Sequence, residues 1–131
     1  MKTKTESYLN WFLGVWAFGS MYAAIAQLAF QKLGADGTHW GYTPGWQREI
    51  GFWNIGLIII ILQALFKGTY NSKIQITRAL VVLSILFGTN HFIEIFKGGA
   101  IYSHVGGASE NYLAVIWGGI LLILGMKKGQ E

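Results

Sequence analysis

The sequence predicts an all-α membrane protein, a four-transmembrane-helix bundle, and three observations carry that prediction. Of 131 residues, 53% are hydrophobic and only 12% charged, where a soluble domain averages about 25% charged. Four apolar runs approach the roughly 20 residues needed to cross a hydrocarbon core about 30 Å thick. The basic residues fall between those runs rather than on a face beside aromatics, so a net charge of +4 and a pI near 9.4 do not read as nucleic-acid binding. The absence of cysteine excludes disulfides, thiol redox chemistry, thiolate metal sites and S-palmitoylation.

The first span runs from Tyr8 to Gln31. Lys2 and Lys4 precede it, and Ala23-Ala24-Ile25-Ala26 resembles a signal-peptidase site; the run is read as a retained span. The second runs from Trp46 to Phe66, with Thr43 as N-cap and Pro44 as the first helical residue, so the single proline starts a helix rather than kinking one. The third covers Ala79 to Phe96. The fourth covers Asn111 to Met126 and is closed by Lys127 and Lys128. Short connections rich in Gly, Ser, Thr and Asn leave no linker, so residues 1–131 form one integral membrane domain.

Orientation follows from the basic residues. Lys2, Lys4, Lys67, Lys73, Arg78, Lys127 and Lys128 fall on one side, against Lys32, Arg48 and Lys97 on the other. The positive-inside rule then places both termini in the cytoplasm, in the inner (plasma) membrane. The loops from Leu33 to Gly45 and from Gly98 to Glu110 face outward, with Trp40, Tyr42 and Tyr102 as interfacial aromatics.

Each span carries small or polar residues at helical spacing, the mark of a face that packs on other helices. These are Trp16, Ser20, Ala23, Ala24, Gln27 and Gln31; then Glu49, Trp53, Gly56, Ile60 and Gln63; then Ser84, Phe87, Gly88, His91 and Glu94; and last Asn111, Ala114, Val115, Gly118, Leu122 and Gly125.

Ionisable groups inside a span are costly and point to function. Here they are Glu49, His91 and Glu94. His91 precedes Lys97 by six residues, about 9 Å at 1.5 Å per residue, and Asn54 and Gln27 lie at similar depth. With Asn90 on the third helix and Asn111 opening the fourth, they make a polar layer in the outer half. Asn90, His91 and Glu94 share one arc and are expected to touch, a triad able to hold or pass a proton. The alternative is that Glu94 pairs with His91, Lys97 or Arg48 to pin the helices. Glu49 and Asn54, five residues apart, point about 140° from one another; Glu49 also sits near the positive end of a helix dipole.

A metal site would need His91, Glu94 and Glu49 with His39 or His104 lent from the outer loops, but no ligand spacing supports it and none is expected. Membrane haem would need a second histidine within a span. No phosphate-binding loop, dinucleotide fingerprint or nucleophile elbow is present, and no cofactor is implied. Small multidrug transporters carry a buried acid in their first helix; the first span here has none.

Glu49-x-Gly51-Phe52-x-Asn54, followed by Gly88-x-x-His91, resembles an uncharacterised family of small bacterial four-helix membrane proteins, a domain of unknown function, over roughly Trp46 to Gly125. The resemblance implies the four-helix fold and singles out the same polar residues, without supplying a reaction. Family members tend to carry a proline in the outer loop and an acid in the last helix; this chain has neither beyond Glu110 in those segments.

Three functions fit. One is a site in the outer half for a lipid, quinone or other small amphipathic molecule, its head oriented by Asn54, His91, Glu94 and Gln27. The second is a proton-coupled transporter or channel, a dimer or larger ring, titrating at Glu49 or Glu94, with only Gln63, Ser84 and Ser20 to wet the inner half. The third is a small non-catalytic subunit of a larger membrane complex. An enzyme using His91 and Glu94 as acid and base has no motif behind it. Membrane lipids are the one partner common to all, and nucleic acid is a partner to none.

Overall fold

A computed structural model describes residues 4–36, 38, 40–98 and 101–128, apart from the side chains of residues 101 and 126–128. The chain order is α1 (Lys4–Ala29), α2 (Gln31–Asp36), α3 (Pro44–Lys67), α4 (Tyr70–Ile95) and α5 (Ile101–Lys128). The long helices α1, α3, α4 and α5 are each long and apolar enough to cross a membrane and pack as a bundle. The chain is a multi-pass membrane protein with these four candidate spans.

Packing is uneven. Antiparallel α4 and α5 share the most extensive contact, α1 and α3 the next, and the two pairs meet chiefly where α1 lies against α4 and α5. The core at that junction holds Leu9, Phe12 and Leu13 of α1, Ile61 and Ala64 of α3, Ile74 and Leu80 of α4, and Leu121 of α5. Phe12 meets Trp117 edge-on with ring centres 5.4 Å apart. Many of the largest apolar side chains point outward, Trp11, Tyr22, Trp53 and Phe66 among them. Lipid is the solvent that accepts such an exterior, because its tails are as apolar as the side chains themselves.

One end of the bundle carries the start of α1, the α3–α4 turn and the end of α5; it is called here the terminal end. The other, where α1 gives way to α2, is the loop end. At the loop end α3 begins as its sequence predicts, with Pro44 in the first turn behind Thr43, although the Thr43 side chain makes no cap bond.

Three helices start earlier than hydropathy indicates: α1 runs Lys4–Ala29 rather than Tyr8 to Gln31, and two others shift further. The fourth span is not Asn111 to Met126: helix begins at Ile101, so the segment from residue 101 to 110 forms turns of α5 rather than a loop. Likewise α4 begins at Tyr70, before the expected Ala79. There Thr69 caps the helix by accepting from the Ser72 amide at 3.2 Å. The charge in the first turn is absorbed from a distance in sequence: Lys73 Nζ donates to Glu6 Oε1 of α1 at 2.9 Å, with the Lys73 side chain 3% exposed. A polar stretch reads as a loop until its partner is seen.

The inward face of α3 also differs from the expected one. Gln47, Gly51, Ile61 and Ala64 are buried, whereas Glu49, Trp53, Gly56, Ile60 and Gln63 face outward. Gly51 decides the matter, because a methyl group there would lie 2.6 Å from Leu28 of α1. In α4, Phe87 is exposed while Ser84, Gly88 and Glu94 are buried; in α1, Ser20 and Ala24 are buried as expected.

Candidate functional site

Two features at the loop end stand side by side and share Trp40. The first is a pair of histidines. His104 is fully buried, and its Nδ1 lies 3.0 Å from Nδ1 of His91. One nitrogen must donate and the other accept, so the bond holds a single proton between the rings; two imidazolium rings would set donor against donor. α5 comes this close to His91 only through Gly107, where a methyl group would lie 2.6 Å from Nε2. Trp40 closes over both rings, with centres 5.3 Å from His91 and 5.1 Å from His104. Next to Trp40, Gly41 takes φ +71, a left-handed conformation that suits glycine and turns the chain toward α3.

The second feature is a pocket of about 100 Å³ between the end of α1, α2, the loop and the start of α3, lined by Gln27, Thr38, Trp40, Trp46 and Gln47 among others. Gln47 and Gln31 tie its walls together: Gln47 Nε2 donates to the Gln31 carbonyl at 2.8 Å, and Gln31 Nε2 donates to the Pro44 carbonyl at 3.4 Å. Since its nitrogen is fixed in that bond, Gln47 presents Oε1 as its remaining polar group. That oxygen and Oε1 of Gln27 are both buried with no hydrogen-bond partner. A buried acceptor left so costs about 1–3 kcal/mol.

The remaining candidates divide. Glu94 is buried and held by Lys97 at 2.6 Å, one of the pairings the sequence allowed. Asn90 is exposed, so the expected triad of Asn90, His91 and Glu94 does not form: His91 turns to His104 and Glu94 to Lys97. Asn54 Nδ2 donates to the Ile50 carbonyl at 2.9 Å within its own helix, and Asn111 Nδ2 does the same to Gly107 at 2.8 Å. Glu49 lies outside the bundle face altogether. Among the described residues no three His, Asp or Glu side chains gather closely enough to hold a metal ion; His39 lies outside them.

The sequence offers His104 only as a metal ligand lent from a loop and Trp40 only as an interfacial aromatic, and it does not single out Gln47. A signal for His104 was present: His104, Ala108, Asn111, Val115, Gly118, Leu122 and Gly125 alternate spacings of four and three, so the α5 stripe extends two turns past its expected start. Nothing comparable marks Trp40, which a loop delivers.

Toward the terminal end Gln63 is exposed and Thr77 is buried with an unpartnered hydroxyl, as are Ser20 and Ser84 past the midpoints of α1 and α4. Toward the loop end, on the last turns of α4 and the first half of α5, Phe92, Ile95, Val105, Tyr112 and Ile116 wall an open apolar groove of about 540 Å³. No protein-family model, curated protein or solved structure matches the chain. What the site can do therefore rests on its chemistry: acceptors and indole rings around a small pocket, a histidine pair beside it, and apolar surface within reach.

Proposed function

We propose that this chain is a plasma-membrane protein with cytoplasmic termini that binds a small amphipathic molecule, a lipid, quinone or similar hydrophobe, in the extracytoplasmic half of the bundle. The observation that supports it is the pocket lined by Gln27, Gln47, Trp40 and Trp46, two of whose lining residues, Gln27 and Gln47, keep a buried oxygen without a hydrogen-bond partner. Ligand sites pair an apolar body with a few convergent polar groups, and this pocket has both. The polar head enters it, and the tail follows the apolar exterior. Purification in mild detergent, followed by solvent extraction and mass spectrometry, is expected to recover a bound amphiphile that Trp40→Ala combined with Gln27→Leu releases. A protein that carries no amphiphile and takes up none on titration would overturn the reading.

A second reading, assembly with another membrane chain, is favoured by the outward face of α3. Glu49, Gly56 and Gln63 recur every seven residues there, with Trp53 and Ile60 between them, and none faces another helix of the bundle. A seven-residue repeat is the seam of a left-handed helix pair, and polar groups on a lipid-facing surface gain from a partner helix. With no cysteine in the chain, single cysteines along α3 report it cleanly. Gly56→Cys is expected to form a cross-link in membranes and Ile61→Cys, on the buried face, is not; equal behaviour of the two removes this reading.

A further inference from the structure

We infer that the head group taken by the pocket under Trp40 is a primary ammonium; the inference rests on the amphiphile-binding reading above and names its ligand class. Two buried side-chain atoms of the pocket lining lack a partner, and both are amide oxygens. Gln27 Oε1 and Gln47 Oε1 are acceptors without donors, and Gln47 is only 7% exposed. Thr38 Oγ1 spends its hydrogen on the Ala35 carbonyl at 3.4 Å, which leaves its lone pairs as a further acceptor on the wall. The indoles of Trp40 and Trp46 add π faces, which attract cations.

An ammonium group carries three donors and no acceptor, the complement of such a wall. A carboxylate or phosphate would bring acceptors against acceptors. A quaternary ammonium would meet the indoles but has no hydrogen to give the amide oxygens. A cavity of about 100 Å³ admits a head of a few non-hydrogen atoms and no more. The charged residues of the segments that line the pocket, Lys32 and Arg48 against Asp36 and Glu49, are exposed and of opposite sign, so selection falls to the neutral acceptors inside. An ammonium of this size comes either from an aminophospholipid head or from a free alkylamine.

The test uses the full chain in detergent and phospholipid nanodiscs. In the first arm, native mass spectrometry compares phosphatidylethanolamine with phosphatidylcholine of the same acyl chains, which differ only in methylation of the nitrogen. In the second, octylamine is compared with octyltrimethylammonium by calorimetry. The ammonium form is expected to bind about tenfold more tightly, the worth of a hydrogen bond from a charged donor. Gln27→Leu is expected to remove that preference; Gln47→Leu is the second variant, and Gln63→Leu on the outer face of α3 the control. Preference in the first arm identifies a lipid head, and preference in the second arm alone a free amine. Equal binding of methylated and unmethylated forms overturns the ammonium assignment while the amphiphile site stands. No binding in either arm overturns both.

Discussion

Stability depends on a buried lysine, Lys73. Its ammonium is almost wholly buried and pairs with Glu6, which is 21% exposed, and the contact joins the first turn of α4 to the first turn of α1. Such a pair gains little over well-packed apolar residues, but removing one partner strands a buried charge at a cost of about 3–5 kcal/mol. Glu6→Ala is therefore expected to destabilise strongly, while Glu6→Leu combined with Lys73→Met recovers most of the loss. Thermal unfolding of the two variants in detergent checks this, and additive losses would contradict it.

At the scale of the helix, glycine decides where elements approach. Gly118 and Gly119 are neighbours in α5, yet a methyl group on Gly118 would lie 2.5 Å from Val81 and 2.9 Å from Phe12, whereas Gly119 has open space. Gly118→Ala is expected to lose about 1–3 kcal/mol by overpacking; Gly119→Ala is expected to be neutral or gain up to about 1 kcal/mol from helix propensity. Chemical denaturation of the pair tests it, and equal stability would show that α4, α5 and α1 do not meet there. The existence of α1, α3, α4 and α5 was legible in the sequence because hydrocarbon demands long apolar runs. Their ends were less so, since the polar first turns of α4 depend on Glu6, far away in the chain. Faces were legible in α1, in α5 and largely in α4. In α3 they were reversed, because lipid accepts apolar residues as readily as a core does and the helix carries two polar stripes. The site was legible in part: Gln27 and His91 were anticipated, but a hydrogen-bond partner such as His104 is set by helix register, and Trp40 by the path of a loop.

For the molecule as a whole, the proposed orientation rests on where the basic residues fall. Lys4, Lys67 and Arg78 lie toward the terminal end, and in the sequence Lys2, Lys127 and Lys128 flank the same end; Lys32, Arg48 and Lys97 lie toward the loop end. Arg78 sits within α4 rather than in a connection, eight residues past Tyr70, a depth of about 12 Å from which a long side chain can reach the interface. The bias therefore persists after the helix ends are redrawn, and it supports the proposal that the terminal end faces the cytoplasm. Because the chain has no cysteine, Tyr42→Cys in the loop and Asn71→Cys in the first turn of α4, both exposed, report topology one at a time. A membrane-impermeant maleimide is expected to label Tyr42→Cys in intact cells and Asn71→Cys only after permeabilisation. The opposite pattern would invert the molecule and turn the pocket under Trp40 toward the cytoplasm. In the proposed orientation that pocket would draw the proposed ligand from the outer leaflet or from beyond it, while the Glu6–Lys73 pair ties α1 to α4 at the opposite end.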